Sequence, residues 1–334
     1  MAGRPDRVIA GGVELKPRIG LLLGDPNGIG PELAAKLLAD PDLTGSAEVT
    51  VIADAGVFAA GQAVACLSPA GDAIALLDEP KMAGDELWPG TATAAGGRYM
   101  LAAWRLALDM SKEGEIDAIC FAPLNKLALT LGDSPFDDEL HFIADHLGFT
   151  GRAGEINTQG GLWTSRVTSH VPLADVADLI TRESVFDNIE FVHEILKSAG
   201  YAAPRVGVAA LNPHAGDGGL FGREEIDVIG PAVERAREAG IDADGPYPSD
   251  TVFVRARGGA FDAIVTMYHD QGQIAMKLMG FERGVTVLGG LPVPIATPAS
   301  GSAYDIVGEN KADPTAMKEA FKLVVKMAAG RKAA

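Results

Sequence analysis

Ile19-Gly20-Leu21-Leu22-Leu23-Gly24-Asp25-Pro26-Asn27-Gly28-Ile29-Gly30-Pro31-Glu32-Leu33-Ala34-Ala35-Lys36-Leu37-Leu38 begins as an apolar run, crosses a turn of Gly, Asp, Pro and Asn, and continues as helix formers. That order reads as a strand over 19–23, a tight turn, and a helix over 30–38. The same alternation returns along the chain. Apolar runs at 49–53, 118–122, 206–211 and 263–267 read as strands, and stretches at 94–110, 186–198, 224–238 and 314–327 read as helices. Two of these end at Ala199-Gly200 and Ala239-Gly240, a glycine stop signal. Strands alternating with helices predict α/β layering. Leu131-Gly132-Asp133-Ser134-Pro135 breaks the pattern and sets a boundary near 130–137. The expected plan is an extension over 1–16, a first α/β/α domain over 17–135 that regains about 296–334, and a second over 136–295.

With 334 residues, 47% hydrophobic and 22% charged, the chain can bury a substantial core. Its formal net charge of -17 argues against sequence-independent nucleic-acid binding, which needs clustered Lys and Arg. An anionic ligand would therefore need local positive groups. Cys66 and Cys120 are its two cysteines, so neither a disulfide framework nor a cysteine zinc site is expected and a reducing cytoplasm fits. The first sixteen residues are too broken by charge for a signal peptide's apolar region. No uncharged apolar run approaches the roughly 20 residues that span a bilayer.

Three constellations carry chemistry. The turn at 24–32 opens a helix, and its backbone N–H groups suit an anion, so Asp25 and Asn27 are candidate substrate contacts. Because Leu33 stands where a third glycine would complete G-x-G-x-x-G, a purely conformational turn is the competing reading. Of six histidines, His170, His214 and His269 each follow a strand-like run and sit among Pro, Gly or polar residues. Ligand sites form outside the carboxyl ends of such strands, and three imidazoles with an open position make a catalytic metal site. Loop-capping hydrogen bonds are the bland alternative for each one. Asp250 and Asp270 read as ligands or as groups that orient ligands. His141, His146 and His193 lie on helix-like stretches without metal-ligand spacing. Lys126, Lys277 and Arg283 are surface groups unless held beside the metal, where a lysine would bind carboxylate or move a proton.

Six motifs occur in order: GDPNGIGPEL at 24–33, APLNK at 122–126, VTSHVPL at 167–173, LNPHAGDGG at 211–219, PSDTVF at 248–253 and MYHDQG at 267–272. Together they resemble the 4-hydroxythreonine-4-phosphate dehydrogenase family of the pyridoxal phosphate route over about 19–327. The resemblance implies two α/β/α domains with a cleft, like isocitrate and isopropylmalate dehydrogenases. It implies a homodimer whose active site is shared between subunits. It places the metal ligands on His170, His214 and His269, a substrate-contacting lysine on Lys277, and an acidic residue near the metal on Asp250. The implied chemistry is hydride transfer from a secondary alcohol of a small hydroxy acid to NAD or NADP, then decarboxylation, with one divalent cation per site. Zn, Mg, Mn, Co and Ni are all compatible with such a site, and no cofactor-contacting segment is located in the sequence.

Departures cluster on the substrate side. The family's His-Thr-Glu motif reads Glu139-Leu140-His141 here, later Asn and Arg contacts fall on Thr286 and Ile295, and an Asp-His-Gly turn reads Ala299-Ser300-Gly301. Losing a cationic bidentate grip weakens the case for a phosphomonoester. Dehydrogenases of terephthalate dihydrodiols are similar in lacking the motif and in the wording at 220–222 and 273–278, which makes an unphosphorylated dihydrodiol dicarboxylate the alternative substrate. A phosphorylated sugar acid ranks below it, and a non-catalytic ligand-binding relative lower still.

Overall fold

Eleven strands form one sheet in the structure, a computed structural model that describes residues 16–67 and 74–333. Apart from Lys16, the extension expected over 1–16 lies outside the described residues. The strands are β1 (Arg18–Leu22), β2 (Glu48–Ile52), β3 (Ile74–Leu77), β4 (Ala118–Phe121), β5 (Gly154–Gln159), β6 (Leu162–Arg166), β7 (Arg205–Ala209), β8 (Asp242–Tyr247), β9 (Ala263–Thr266), β10 (Val285–Gly289) and β11 (Ile295–Pro298). Their spatial order is β3-β2-β1-β4-β11-β10-β5-β6-β9-β7-β8. The mixed α/β fold expected from the sequence is the fold observed.

Pairing is parallel at both ends of the sheet and antiparallel in the middle. β10 runs antiparallel to both β11 and β5, and β5 is antiparallel to β6. All five strands read from the sequence are present. Among the others, β5 (GEINTQ), β8 (DADGPY) and β11 (IATP) depart from continuous apolar runs, whereas β3 (IALL) is apolar but only four residues long. β5, antiparallel to both of its neighbours, buries one face only, so its outward residues are free to be polar.

The core explains where a site can open. On one face a single apolar layer runs under the whole sheet, joining Ile19 and Val51 of the first half to Val206 and Val265 of the second, with Ile156, Val285 and Val287 between them. Helices Gly30–Leu38, Arg182–Ser198 and Thr315–Ala333 cover that face. The opposite face carries two separate cores. One packs helix Ala94–Lys112 against β4, with Trp104 edge-on to Phe121 at 4.9 Å between centroids. The other packs helices Ser249–Arg257 and His269–Leu278 against β7 and β9. Between those cores lies the polar face of β5, whose Glu155 and Asn157 alternate with buried Ile156 as a strand's period of two requires. Among the described residues no helix is long and apolar enough to cross a membrane.

Candidate active site

A cavity of about 190 Å³ occupies this uncovered stretch of sheet, lined among others by Asn157, Arg166, His170, His269, Lys277 and Thr286. Its polar floor is cross-linked. Asn157 Oδ1 accepts from Arg166 Nη1 at 3.0 Å and from Gln273 Nε2 at 2.5 Å, while Asn157 Nδ2 donates to Thr286 Oγ1 at 3.0 Å. Arg166 Nη2 reaches Glu155 Oε2 at 3.1 Å and Arg166 Nε reaches Ser169 Oγ at 2.9 Å. One side-chain lattice thus ties β5, β6, β10 and the helix His269–Leu278 together.

The three candidate histidines follow β6, β9 and β7, which are neighbours in the sheet and parallel to one another. Their loops therefore leave from the same edge. His170 and His269 meet, with ring centroids 5.7 Å apart. Two imidazoles on one ion, at about 2 Å per bond, hold their centroids roughly 5 to 6 Å apart, so this pair fits a divalent cation. His269 Nδ1 lies 2.8 Å from Asp270 Oδ1, which orients the ring and leaves Nε2 for a ligand. Gln271 holds the start of that helix: its Oε1 accepts from Met267 N at 2.7 Å, and its Nε2 donates to Ala210 O and Ser249 Oγ, both at 2.8 Å.

His214 stands apart from this pair. Residues His214 to Gly218 all take positive φ, a left-handed turn that displays the exposed His214 ring beside Phe221, 6.3 Å between centroids. Buried Glu225 anchors the turn, accepting from Leu211 N at 2.9 Å and Asn212 N at 2.7 Å. At Gly216 an added Cβ would lie 2.7 Å from Glu225 Oε2, so size and φ both require glycine. Among the described residues no three His, Cys, Asp or Glu side chains are grouped for a metal.

The Asp25–Asn27 turn is buried and hydrogen-bonded from within. Both residues are 0% exposed, and the N–H groups that would hold an anion are already engaged. Asn27 N donates to Asp25 Oδ1 at 2.9 Å, Gly28 N to Asp25 O at 3.1 Å and Ile29 N to Ser302 O at 3.1 Å. Tyr304 donates to Asp25 Oδ2, Asn27 Nδ2 donates to Thr93 Oγ1, and Trp88 N donates to Asn27 Oδ1. Burial raises the pKa of Asp25, opposed by the bonds from Tyr304 and Asn27, and burial together with the Asp25 contact raises that of Tyr304. The conformational reading of this motif is the one the geometry supports.

Ile295 is likewise displaced from its expected role: it is 0% exposed inside the core beside helix Ala94–Lys112, paired across the sheet with Ile119. Its side chain meets apolar neighbours, and the partner across the sheet from Thr286 is Thr297. Thr286 does line the cavity. Glu139 is the first residue of helix Glu139–Leu147, which Asp138 caps; its Oε2 is buried and unpaired, and burial raises its pKa against the opposing charge of Lys126. Lys126 and Asp250 are exposed and do not line the cavity, whereas Lys277 does. Arg166, Asn157, Gln271, Gln273 and Glu225 were not found from sequence. For Arg166, Gln271 and Gln273 the available signal was a charged or amide side chain within four residues of a motif histidine; Asn157 and Glu225 lie more than ten residues from one.

The family model described as "Pyridoxal phosphate biosynthetic protein PdxA" matches residues 35–324. A Pseudomonas aeruginosa protein named "Putative 4-hydroxythreonine-4-phosphate dehydrogenase 2" is 51% identical, covering 93% of this chain and 97% of that relative. The crystal structure of 4-hydroxythreonine-4-phosphate dehydrogenase from Klebsiella pneumoniae is similar at a TM-score of 0.82 and 33% identity, covering 94% of this chain and 98% of that one. A terephthalate 1,2-cis-dihydrodiol dehydrogenase from Burkholderia xenovorans is similar at 0.65 and 29%, covering 93% and 98%. In fold alone the chain is also similar to isocitrate dehydrogenase from Methylococcus capsulatus, at 0.50 and 17% over 95% of this chain and 88% of that one.

Proposed function

We propose, from the premise that the chain belongs to the PdxA family, that this dehydrogenase oxidises the secondary alcohol of a small hydroxy acid with NAD or NADP and a divalent cation, the resulting β-keto acid then losing carbon dioxide. The observation that carries the reading is the His170–His269 pair, 5.7 Å between centroids, in one cavity with Lys277. When bound, the nicotinamide takes up the hydride and the cation supplies Lewis acidity at the alcohol oxygen. His170 and His269 would hold the cation, with Asp270 fixing the tautomer of His269. Lys277 is better placed than Lys126 or Asp250 to bind the substrate's acid group or move a proton, because it alone of the three lines the cavity.

His214 completes the ligand set from a second copy of the chain. Its exposed ring is accompanied by exposed Leu220 (72%), Phe221 (48%) and Ile226 (46%), and helix His269–Leu278 exposes Ile274 (59%) and Leu278 (84%), apolar surface that a homodimer would cover. Mixing His170→Ala with His214→Ala protein tests the shared site. Random pairing leaves half the dimers mixed, each with one intact site, so about a quarter of wild-type turnover should return. If every site were built within one chain, no turnover would return. Residues 17–135 with 296–334, and 136–295, are read as the two domains flanking the cleft. Both cysteines are free, in keeping with a reducing cytoplasm.

Two substrates stand within this reading. 4-Hydroxythreonine 4-phosphate follows from the named relatives, and an unphosphorylated dihydrodiol dicarboxylate follows from the core position of Ile295 and the buried carboxylate of Glu139, neither of which grips phosphate. NAD(P) reduction on both, with Zn, Mg, Mn, Co and Ni supplied in turn, separates them. Absence of reduction on any hydroxy acid with any metal would sink the proposal.

A further inference from the structure

We propose that Arg152 and Arg166 form a carboxylate-binding subsite beside His170, which selects a substrate bearing a second carboxylate in place of a phosphate. The inference rests on the dehydrogenase reading above for the identity of the molecule, but the subsite is argued from its own geometry. A cavity of about 260 Å³ adjoins the one that holds the histidine pair, and the two share Glu155, Arg166 and His170 in their linings. Arg152 and Arg166 both line it.

The Arg166 side chain is 9% exposed, and its guanidinium is held rigidly by Glu155, Asn157 and Ser169. Three of its five N–H groups are accounted for by these bonds, which leaves donors on a preorganised planar fork. Arg152 lies across the same cavity, its guanidinium stacked over the Phe191 ring at 4.7 Å. No carboxylate stands within ion-pair distance of it among the described residues, and Asn188, with its amide turned to satisfy its neighbours, accepts from its Nη2 at 3.1 Å. Asp187 and Glu190 act on Arg152 through space without a direct ion pair, so an arginine fixed by stacking and facing a cavity keeps donors for an anion.

Local charge decides which anion. Arg152 and Arg166 bring two positive charges, which Glu155 and Asp138 in the lining already offset, and Asp187 and Glu190 act on Arg152 from outside it. Asp138, also in the lining, is engaged by His141 N at 2.9 Å and His141 Nδ1 at 2.7 Å. A planar carboxylate matches the fork geometry and adds the least charge to a lining already in balance. A phosphate dianion would bring twice that charge against Glu155 and Asp138. The distance from the metal-side histidine is bridged by the substrate itself, so its reacting hydroxy acid end sits at His170 and His269 while a distal carboxylate enters between the arginines.

Isothermal titration of the metal-loaded protein with terephthalate, benzoate and inorganic phosphate tests this. Terephthalate should bind, Arg152→Gln should weaken it by about tenfold or more while leaving benzoate unchanged, and phosphate should not compete. Arg166→Lys keeps the charge but loses the planar fork, so it should weaken terephthalate as well. Circular dichroism checks that each variant is folded, and exposed Arg152 carries the test should the Arg166 variant unfold. An unchanged terephthalate affinity in Arg152→Gln, competition by phosphate at equal concentration, or no terephthalate binding at all overturns the subsite. NAD(P) reduction assayed in parallel separates this from the dehydrogenase reading: terephthalate bound through the arginines without turnover of any hydroxy acid leaves the subsite standing and removes the catalytic reading.

Discussion

The turn at Asp25–Asn27 and the loop ends at His170 and His269 look alike as sequence, since both follow strands and both are rich in residues that bind ligands. In three dimensions they are opposites. Asp25 and Asn27 are 0% exposed and have their hydrogen-bonding groups engaged by Thr93, Trp88 and Tyr304. His170 is exposed, and His269, bonded to Asp270 through Nδ1, lines the same cavity as His170. A polar motif whose capacity is consumed inside the protein builds the fold, and one whose capacity is left over serves a ligand.

The sharpest way to break this contrast is to remove a group from each side. His170→Ala should lower metal-dependent NAD(P) reduction by roughly 100-fold or more with an unchanged urea midpoint, since even groups that merely orient a metal ligand are worth 10- to 100-fold. A variant that keeps its metal content by elemental analysis would remove His170 from the ligand set. Ile295→Ala tests the boundary between the two regions. Truncation of a fully buried Ile should cost about 2–4 kcal/mol in urea unfolding while leaving the Michaelis constant in place. A raised Michaelis constant at wild-type stability would return Ile295 to the substrate side.

Asn27→Ala leaves Thr93 Oγ1 and Trp88 N without their partner and should cost roughly 2 kcal/mol of stability with metal content intact. Loss of metal without loss of stability would erase the contrast. Asp270→Asn should weaken metal binding by about tenfold, read by competition with a chelator, because His269 loses the carboxylate that fixes its tautomer.

The smallest effect concerns Glu139, whose folded pKa is raised by burial. Below its unfolded pKa the carboxyl is neutral in both states and burial carries no charge penalty. As pH rises from the ordinary glutamate range through the raised folded value, that protection is lost and the native state weakens. Glu139→Gln should therefore be more stable than wild type by about 1 kcal/mol at neutral pH, with the gap closing as pH falls toward the ordinary glutamate range. Equal urea midpoints at both pH values would show that the carboxyl is compensated.

Much of the fold was legible because parallel strands such as β1, β4 and β9 are buried on both faces and print continuous apolar runs. The middle strands were not, since β5 and β10 alternate polar and apolar residues and their pairing is set by partners far away in sequence. The loops of His214 and His269 were visible because β7 and β9, which launch them, are such apolar runs, whereas β6 before His170 reads LWTSR. What sequence could not tell is which polar groups find partners. Ile295 and Asp25 were read as contacts by position alone, and only packing assigns the first to the core and the second to Tyr304.

One layer of apolar side chains runs without interruption beneath both halves of the sheet, whereas the opposite face is split. A molecule built this way has a cleft without a free joint. Widening the mouth must twist the β11-β10-β5 ladder and shear a shared interior, so breathing of the cleft and global melting draw on the same contacts. The two halves should accordingly form one cooperative unit, and a heat-capacity trace should show a single peak where two lobes would otherwise suggest two.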